Sequence, residues 1–165
     1  MKEHSTDSGN FREYMDQFAL WSALTPQQRD TLAAHTRFVR YKKGTSVHRG
    51  SLGGAGTLHI ISGTLRVYTL SEEGREFTLY FLRDGDVALL ASTSFLGTIS
   101  YDIAIDATKN TELFVSDTET VREILCANVE VRAHAYEHAV VRLSEMLWKF
   151  HQMLFTSAER RLAKF

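Results

Sequence analysis

Ile60-Ile61-Ser62-Gly63-Thr64-Leu65-Arg66-Val67-Tyr68 joins two apolar, β-branched runs through a Ser-Gly pair. Such runs favour strands, and the glycine supplies the positive φ that a tight reversal needs. The same pattern extends in both directions. Upstream, Phe38-Val39-Arg40-Tyr41, Ser46-Val47-His48 and Leu58-His59-Ile60-Ile61 read as strands. Downstream, Leu65–Leu70, Phe77–Leu82, Asp86–Leu90, Asp102–Ile105 and Thr111–Val115 do the same. Lys43-Gly44, Gly53-Gly54-Ala55-Gly56, Glu72-Glu73-Gly74 and Asp84-Gly85-Asp86 separate them as turns. Short strands punctuated in this way predict a mainly β domain, rolled or closed into an antiparallel jelly-roll barrel.

Helices flank this region. Residues 1–9 (MKEHSTDSG) are polar and are expected to be a flexible tail. Phe11, Tyr14, Met15, Phe18 and Trp21 then fall at helical spacing and predict one helix with an apolar face. Thr25-Pro26-Gln27-Gln28 opens a second helix, with a capping threonine, proline at the first helical position and glutamine closing a capping box. It carries Leu32 and Ala33 inward and ends near His35. After the strands, Asp117 or Thr118 caps a short helix through Leu125.

A longer helix, from about Val129 to at least Ser157, contains neither glycine nor proline. In it Ala139, Leu143, Met146, Phe150 and Met153 step alternately by 4 and 3, the spacing of a coiled-coil seam. Val140, Leu147 and Leu154 form a second stripe, and Val141, Trp148 and Phe155 a third. A helix apolar nearly all round must be covered on two sides. The roll covers one side, and the seam predicts a second copy of the chain on the other, a homodimer through the C-terminal helix.

With 165 residues, 44% of them hydrophobic and 24% charged, the chain suffices for one soluble domain with a real core. Its net charge of −1 argues against this segment alone gripping a phosphate backbone, which needs a concentrated basic patch. The single cysteine, Cys126, allows no internal disulfide and no Cys-x-x-Cys metal site, and its apolar neighbours predict burial. No signal peptide precedes Asn10 and no run reaches the roughly 18 apolar residues of a membrane span. A cytoplasmic protein without membrane contact is expected.

The order of these parts resembles the CRP–FNR family of bacterial transcription regulators. Tyr41-Lys42-Lys43-Gly44, Ile60 through Tyr68, Ser71-Glu72-Glu73-Gly74-Arg75-Glu76-Phe77-Thr78-Leu79 and Leu82-Arg83-Asp84-Gly85-Asp86 carry the resemblance. Glu159-Arg160-Arg161-Leu162-Ala163-Lys164-Phe165 looks like the family's exit from its dimerisation helix. The resemblance implies a cyclic-nucleotide-binding-like β-roll with N-terminal helices over residues 10–126 and a dimerisation helix over 127–165. It also implies that DNA is read only by a winged helix-turn-helix beyond residue 165, absent from this chain.

In cyclic-AMP-binding relatives a Gly-Glu pair follows the Gly-Asp strand, and an Arg-Ser or Arg-Thr pair comes later. Here Leu89 and Leu90 stand at the first place and Tyr101 and Asp102 at the second. The ribose acceptor has become apolar, and the phosphate's cation a phenol beside an acid, which repels a phosphate. The resemblance therefore implies a roll that binds neither cyclic AMP nor cyclic GMP in the usual way. Ser92 and Ser94, in Ala91-Ser92-Thr93-Ser94-Phe95-Leu96, complete a candidate pocket for an unidentified small-molecule effector.

Other chemistry is weaker. His134-Ala135-Tyr136-Glu137-His138 has zinc-ligand spacing on a helix, but no third ligand segment accompanies it. His48 and His59 lack the His-x-His pattern of a cupin-like metal enzyme, the alternative reading of the barrel, and are expected to be satisfied barrel or surface histidines. No haem-ligand motif, iron–sulfur cysteine set or phosphate-gripping loop is present. The expectation is a regulatory binding module that is not an enzyme, with no catalytic residues, metal or cofactor. An effector-free dimerisation scaffold is a third possibility.

Overall fold

The computed structural model describes residues 3–5, 8–51, 56–89 and 102–162. Strand β1 (Glu3–Ser5) precedes helices α1 (Ser8–Met15), α2 (Ala19–Ser22) and α3 (Pro26–Ala34). Strands β2 (Thr36–Tyr41), β3 (Ser46–Ser51), β4 (Thr57–Ser62), β5 (Thr64–Leu70) and β6 (Glu76–Arg83) follow. Then come β7 (Val87–Leu89), β8 (Asp102–Ala107), β9 (Thr111–Ser116) and helices α4 (Thr118–Ala127) and α5 (Val129–Leu162).

The strands form two antiparallel sheets, ordered β1-β2-β9-β4-β7 and β3-β8-β5-β6. Successive side chains on a strand face opposite ways, and this alternation builds two cores. Leu58 and Ile60 of β4, and Leu113 and Val115 of β9, pack inward with Val39, Leu65, Val67 and Ile105, between the sheets. Phe114 of β9 packs outward, where Phe11, Met15, Trp21, Leu24, Val121, Ile124 and Val131 cover the five-stranded sheet. Phe114 meets Phe11, Tyr14 and Phe38 with ring centroids 5.1, 5.6 and 5.6 Å away. A large side chain fully buried in this way contributes roughly 1.5–3 kcal/mol.

Local signals set the element boundaries. The Thr25 side chain accepts from the Gln28 N–H at 3.2 Å, and Gln28 Oε1 accepts from the Thr25 N–H at 3.0 Å, the capping box the sequence predicts. Asp117 caps α4 by accepting from the Thr120 N–H, and this bond lowers its carboxyl pKa. The 34-residue α5 is about 50 Å long.

Three expectations need correction. The single N-terminal helix is two. Phe18 N–H donates to Met15 O, and Trp21 N–H to Phe18 O, tight three-residue turns that bend the chain between α1 and α2. The bend lets Trp21 meet Phe11 edge-on at 5.7 Å. Part of the supposed flexible tail is ordered, since Glu3–Ser5 pairs with Arg40, Val39 and Phe38 of β2. Cys126 is exposed. Val121, Ile124 and Leu125 define the buried face of α4, and Cys126 falls outside that helical phase.

Gly63, between β4 and β5, has φ +104, and an added Cβ would lie 2.6 Å from Thr111 Cα. Gly74 has φ +78 but open space around it. Gly63→Ala is expected to lower unfolding free energy by roughly 2–4 kcal/mol, and Gly74→Ala by only about 1 kcal/mol. Urea unfolding of both variants measures the difference.

Candidate functional site

Two of the predicted effector residues, Leu89 and Asp102, stand on described strands of the two sheets. Leu89 ends β7 with its backbone opposite Thr57, on the five-stranded sheet. Asp102 opens β8 opposite Ser51, on the four-stranded sheet. Leu90, Ser92, Ser94 and Tyr101 lie outside the described residues, as do the side chains of Leu89 and Asp102.

The turn that leads into β7 is well anchored. Gly85 N–H donates to Ile60 O, and Ile60 N–H to Asp86 O, both at 2.9 Å. Asp86 Oδ2 accepts from the Arg83 N–H at 2.8 Å, closing the turn on itself. The other oxygen, Oδ1, pairs with Arg142 Nη2 of α5 at 2.6 Å. Arg142 also reaches Glu145 at 3.0 Å. Tyr14 of α1 donates its hydroxyl to Ile60 O at 2.6 Å. Burial first, then the charges of Asp86 and Asp84, push the Tyr14 phenol up to about 12. The turn thus ties α1 and β4 to the long helix. Phe77 of β6 adds a second attachment, stacked on Phe150 of α5 at 5.4 Å and 13°. Sequence reading did not pair Arg142 with Asp86, and no local signal links residues 56 positions apart.

The predicted seam maps onto the half-exposed part of α5. Leu143 and Phe150 are exposed, Ala139 and Met146 half-buried, and the Met153 side chain lies outside the described set. Tyr136, Val140, Leu143, Leu147 and Phe150 make an exposed series with the same 4-3 step. Val141 and Trp148 widen it.

His59 departs from the satisfied histidine expected from the sequence. Its Nε2 lies 3.1 Å from Ser116 Oγ, but its Nδ1 has no hydrogen-bond partner among the described residues. Burial alone lowers its pKa to about 4, so the ring is neutral near pH 7. His48 lies on β3 of the four-stranded sheet, whereas His59 packs against Phe11 at 5.6 Å on the outer side of the five-stranded sheet. His134 Nδ1 is 3.4 Å from Glu137 on the solvent side of α5. Among the described residues no three metal-ligating side chains come together, and no helix is long and apolar enough to cross a membrane.

The doubly layered roll, its helical cover and the long trailing helix define a cyclic-nucleotide-binding-like fold. No protein-family model and no curated protein matches the chain. Among solved structures it is similar to a protein described as a CRP/FNR-family transcriptional regulator from Eubacterium rectale. The TM-score is 0.79 and identity 33%, over 93% of this chain and 69% of that one. The chain belongs to the CRP/FNR family of transcription regulators. The sensor domain of the regulator DNR from Pseudomonas aeruginosa has the same fold, with TM-score 0.62, 21% identity, and coverage of 89% and 93%. So does the Thermus thermophilus catabolite activator protein, with TM-score 0.55, 21% identity, and coverage of 84% and 62%.

Proposed function

We propose that the chain is the effector-sensing and dimerisation module of a DNA-binding transcription regulator. In this reading residues 10–126 sense, residues 127–165 dimerise, and a domain beyond Phe165 reads DNA. It is a binding module and not a catalyst. The observation that carries the reading is the roll's continuation through α4 into α5, whose exposed apolar series keeps coiled-coil spacing. Asp86–Arg142 supplies the link between sensing and dimerisation, because it joins the turn before β7 to the helix. An effector held near Leu89, Leu90, Ser92, Ser94, Tyr101 and Asp102 acts only if it binds one arrangement of the helix pair more tightly than another.

The effector is not cyclic AMP or cyclic GMP. A leucine replaces the ribose-binding carboxylate, and the phosphate site has Tyr101-Asp102 in place of arginine and a hydroxyl. Isothermal titration with cyclic AMP is expected to give no saturable heat in the micromolar range. Saturable micromolar binding overturns this part of the proposal.

A further inference from the structure

A cavity of about 60 Å³ lies between the five-stranded sheet's outer face and the helices. Met15, Leu24, Val121 and Leu125 are among its apolar walls, and Thr57 and His59 of β4 supply polar groups. It lies on the opposite face of the five-stranded sheet from the core between the sheets. Val131 and His138 place the base of α5 on its wall.

The two polar residues carry an unmet demand. They are two apart on one strand, so they share a face. Thr57 is 1% exposed and His59 3%. Thr57 Oγ1 and His59 Nδ1 both lack a hydrogen-bond partner among the described residues. A buried polar group left unpaired is costly, and most such groups in folded proteins are paired.

Neighbouring bonds fix what His59 offers. Thr36 donates its only hydroxyl hydrogen to Leu32 O at 2.7 Å. In the 2.8 Å Thr36–Ser116 bond the donor must then be Ser116. With that hydrogen committed, Ser116 Oγ accepts from His59 Nε2–H at 3.1 Å. Nδ1 of the neutral ring is therefore a bare acceptor, and Thr57 beside it keeps a hydroxyl hydrogen to give.

The required ligand group donates one hydrogen and accepts another. A hydroxyl does both with a single oxygen. No lysine, arginine or carboxylate is among the described lining residues, so an ionic ligand would be desolvated without a counterion. The volume is about four times the roughly 15 Å³ that one water needs, enough for a body of a few heavy atoms. We propose that this cavity binds a small neutral alcohol, its hydroxyl held between Thr57 and His59 and its hydrocarbon against the apolar walls.

Nitrogen NMR of the histidine side chains tests this on the whole chain, titrated with butan-1-ol and with butane-1-thiol as a weakly hydrogen-bonding control. Ligand-free His59 is expected to show a protonated Nε2 and an unbonded Nδ1. Butan-1-ol is expected to move Nδ1 upfield saturably in the millimolar range, and the thiol to bind about tenfold more weakly. Thr57→Val should remove most of that preference while leaving thiol binding in place. Equal binding of alcohol and thiol, or no saturable shift, overturns the proposal. So does an Nδ1 resonance already hydrogen-bonded in free protein and unmoved by alcohol, because water then holds the site.

Discussion

Replacing Leu143 and Leu147 together with glutamate is expected to turn a dimer into a monomer, raising its Kd at least about a thousandfold, or roughly 4 kcal/mol. The two leucines are 52% and 59% exposed in the protomer, so the substitutions leave the protomer's own core intact. In a helix-to-helix seam they become the buried centre, and each chain would bring two charges into that apolar contact. Sedimentation equilibrium reads the change directly, with circular dichroism checking that the fold persists. A variant that stays dimeric at unchanged Kd removes α5 as the interface.

Acid is expected to unfold the protein partly through His59. The folded ring has a pKa of about 4 and the ordinary value is 6.5. Between these values the unfolded chain binds a proton that the folded chain refuses, so stability rises with pH there. The contribution is fully present above pH 6.5 and is lost as pH falls towards 4, about 3 kcal/mol in all. Urea unfolding at a series of pH values measures it. His59→Phe, which cannot titrate, should flatten the slope between pH 6.5 and 4 whatever its own stability. An unchanged slope means the histidine is not held neutral by burial.

What the sequence made legible was local. The Thr25–Gln28 box, the cores of the strand runs and the turn at Gly63 each depend on residues a few positions apart and are found where read, though the Asp86–Leu90 run is a strand over Val87–Leu89 only and Leu90 lies outside the described residues. Phase was harder. Cys126 has apolar neighbours in sequence, but helical rotation turns it away from the face that Ile124 and Leu125 bury. Three apolar stripes were visible on the last helix, yet which one stays uncovered depends on where the roll sits. The exposures favour the series through Val140, Leu143 and Leu147, with Ala139 and Met146 to one side. Long-range pairs left no trace at all. Arg142 finds Asp86 56 positions away, and the chain that fixes the His59 tautomer closes through Ser116 and Thr36, 80 positions apart. Of the proposed effector residues, Leu90, Ser92, Ser94 and Tyr101 lie outside the described set, so Leu89 and Asp102 mark only the two banks of the proposed site.

Beyond its buried base at Val131 and Ala135, the long helix meets the roll at two joints of unlike character among the described residues. Asp86–Arg142 is ionic, with both side chains a little over a quarter exposed, and Phe77–Phe150 is aromatic. On the helix the joints are about 12 Å apart, eight residues at 1.5 Å each. Dissolved ions weaken the first and leave the second almost untouched. Rising ionic strength therefore loosens the ionic joint alone, while the aromatic joint and the buried base of the helix at Val131 and Ala135 keep hold of it.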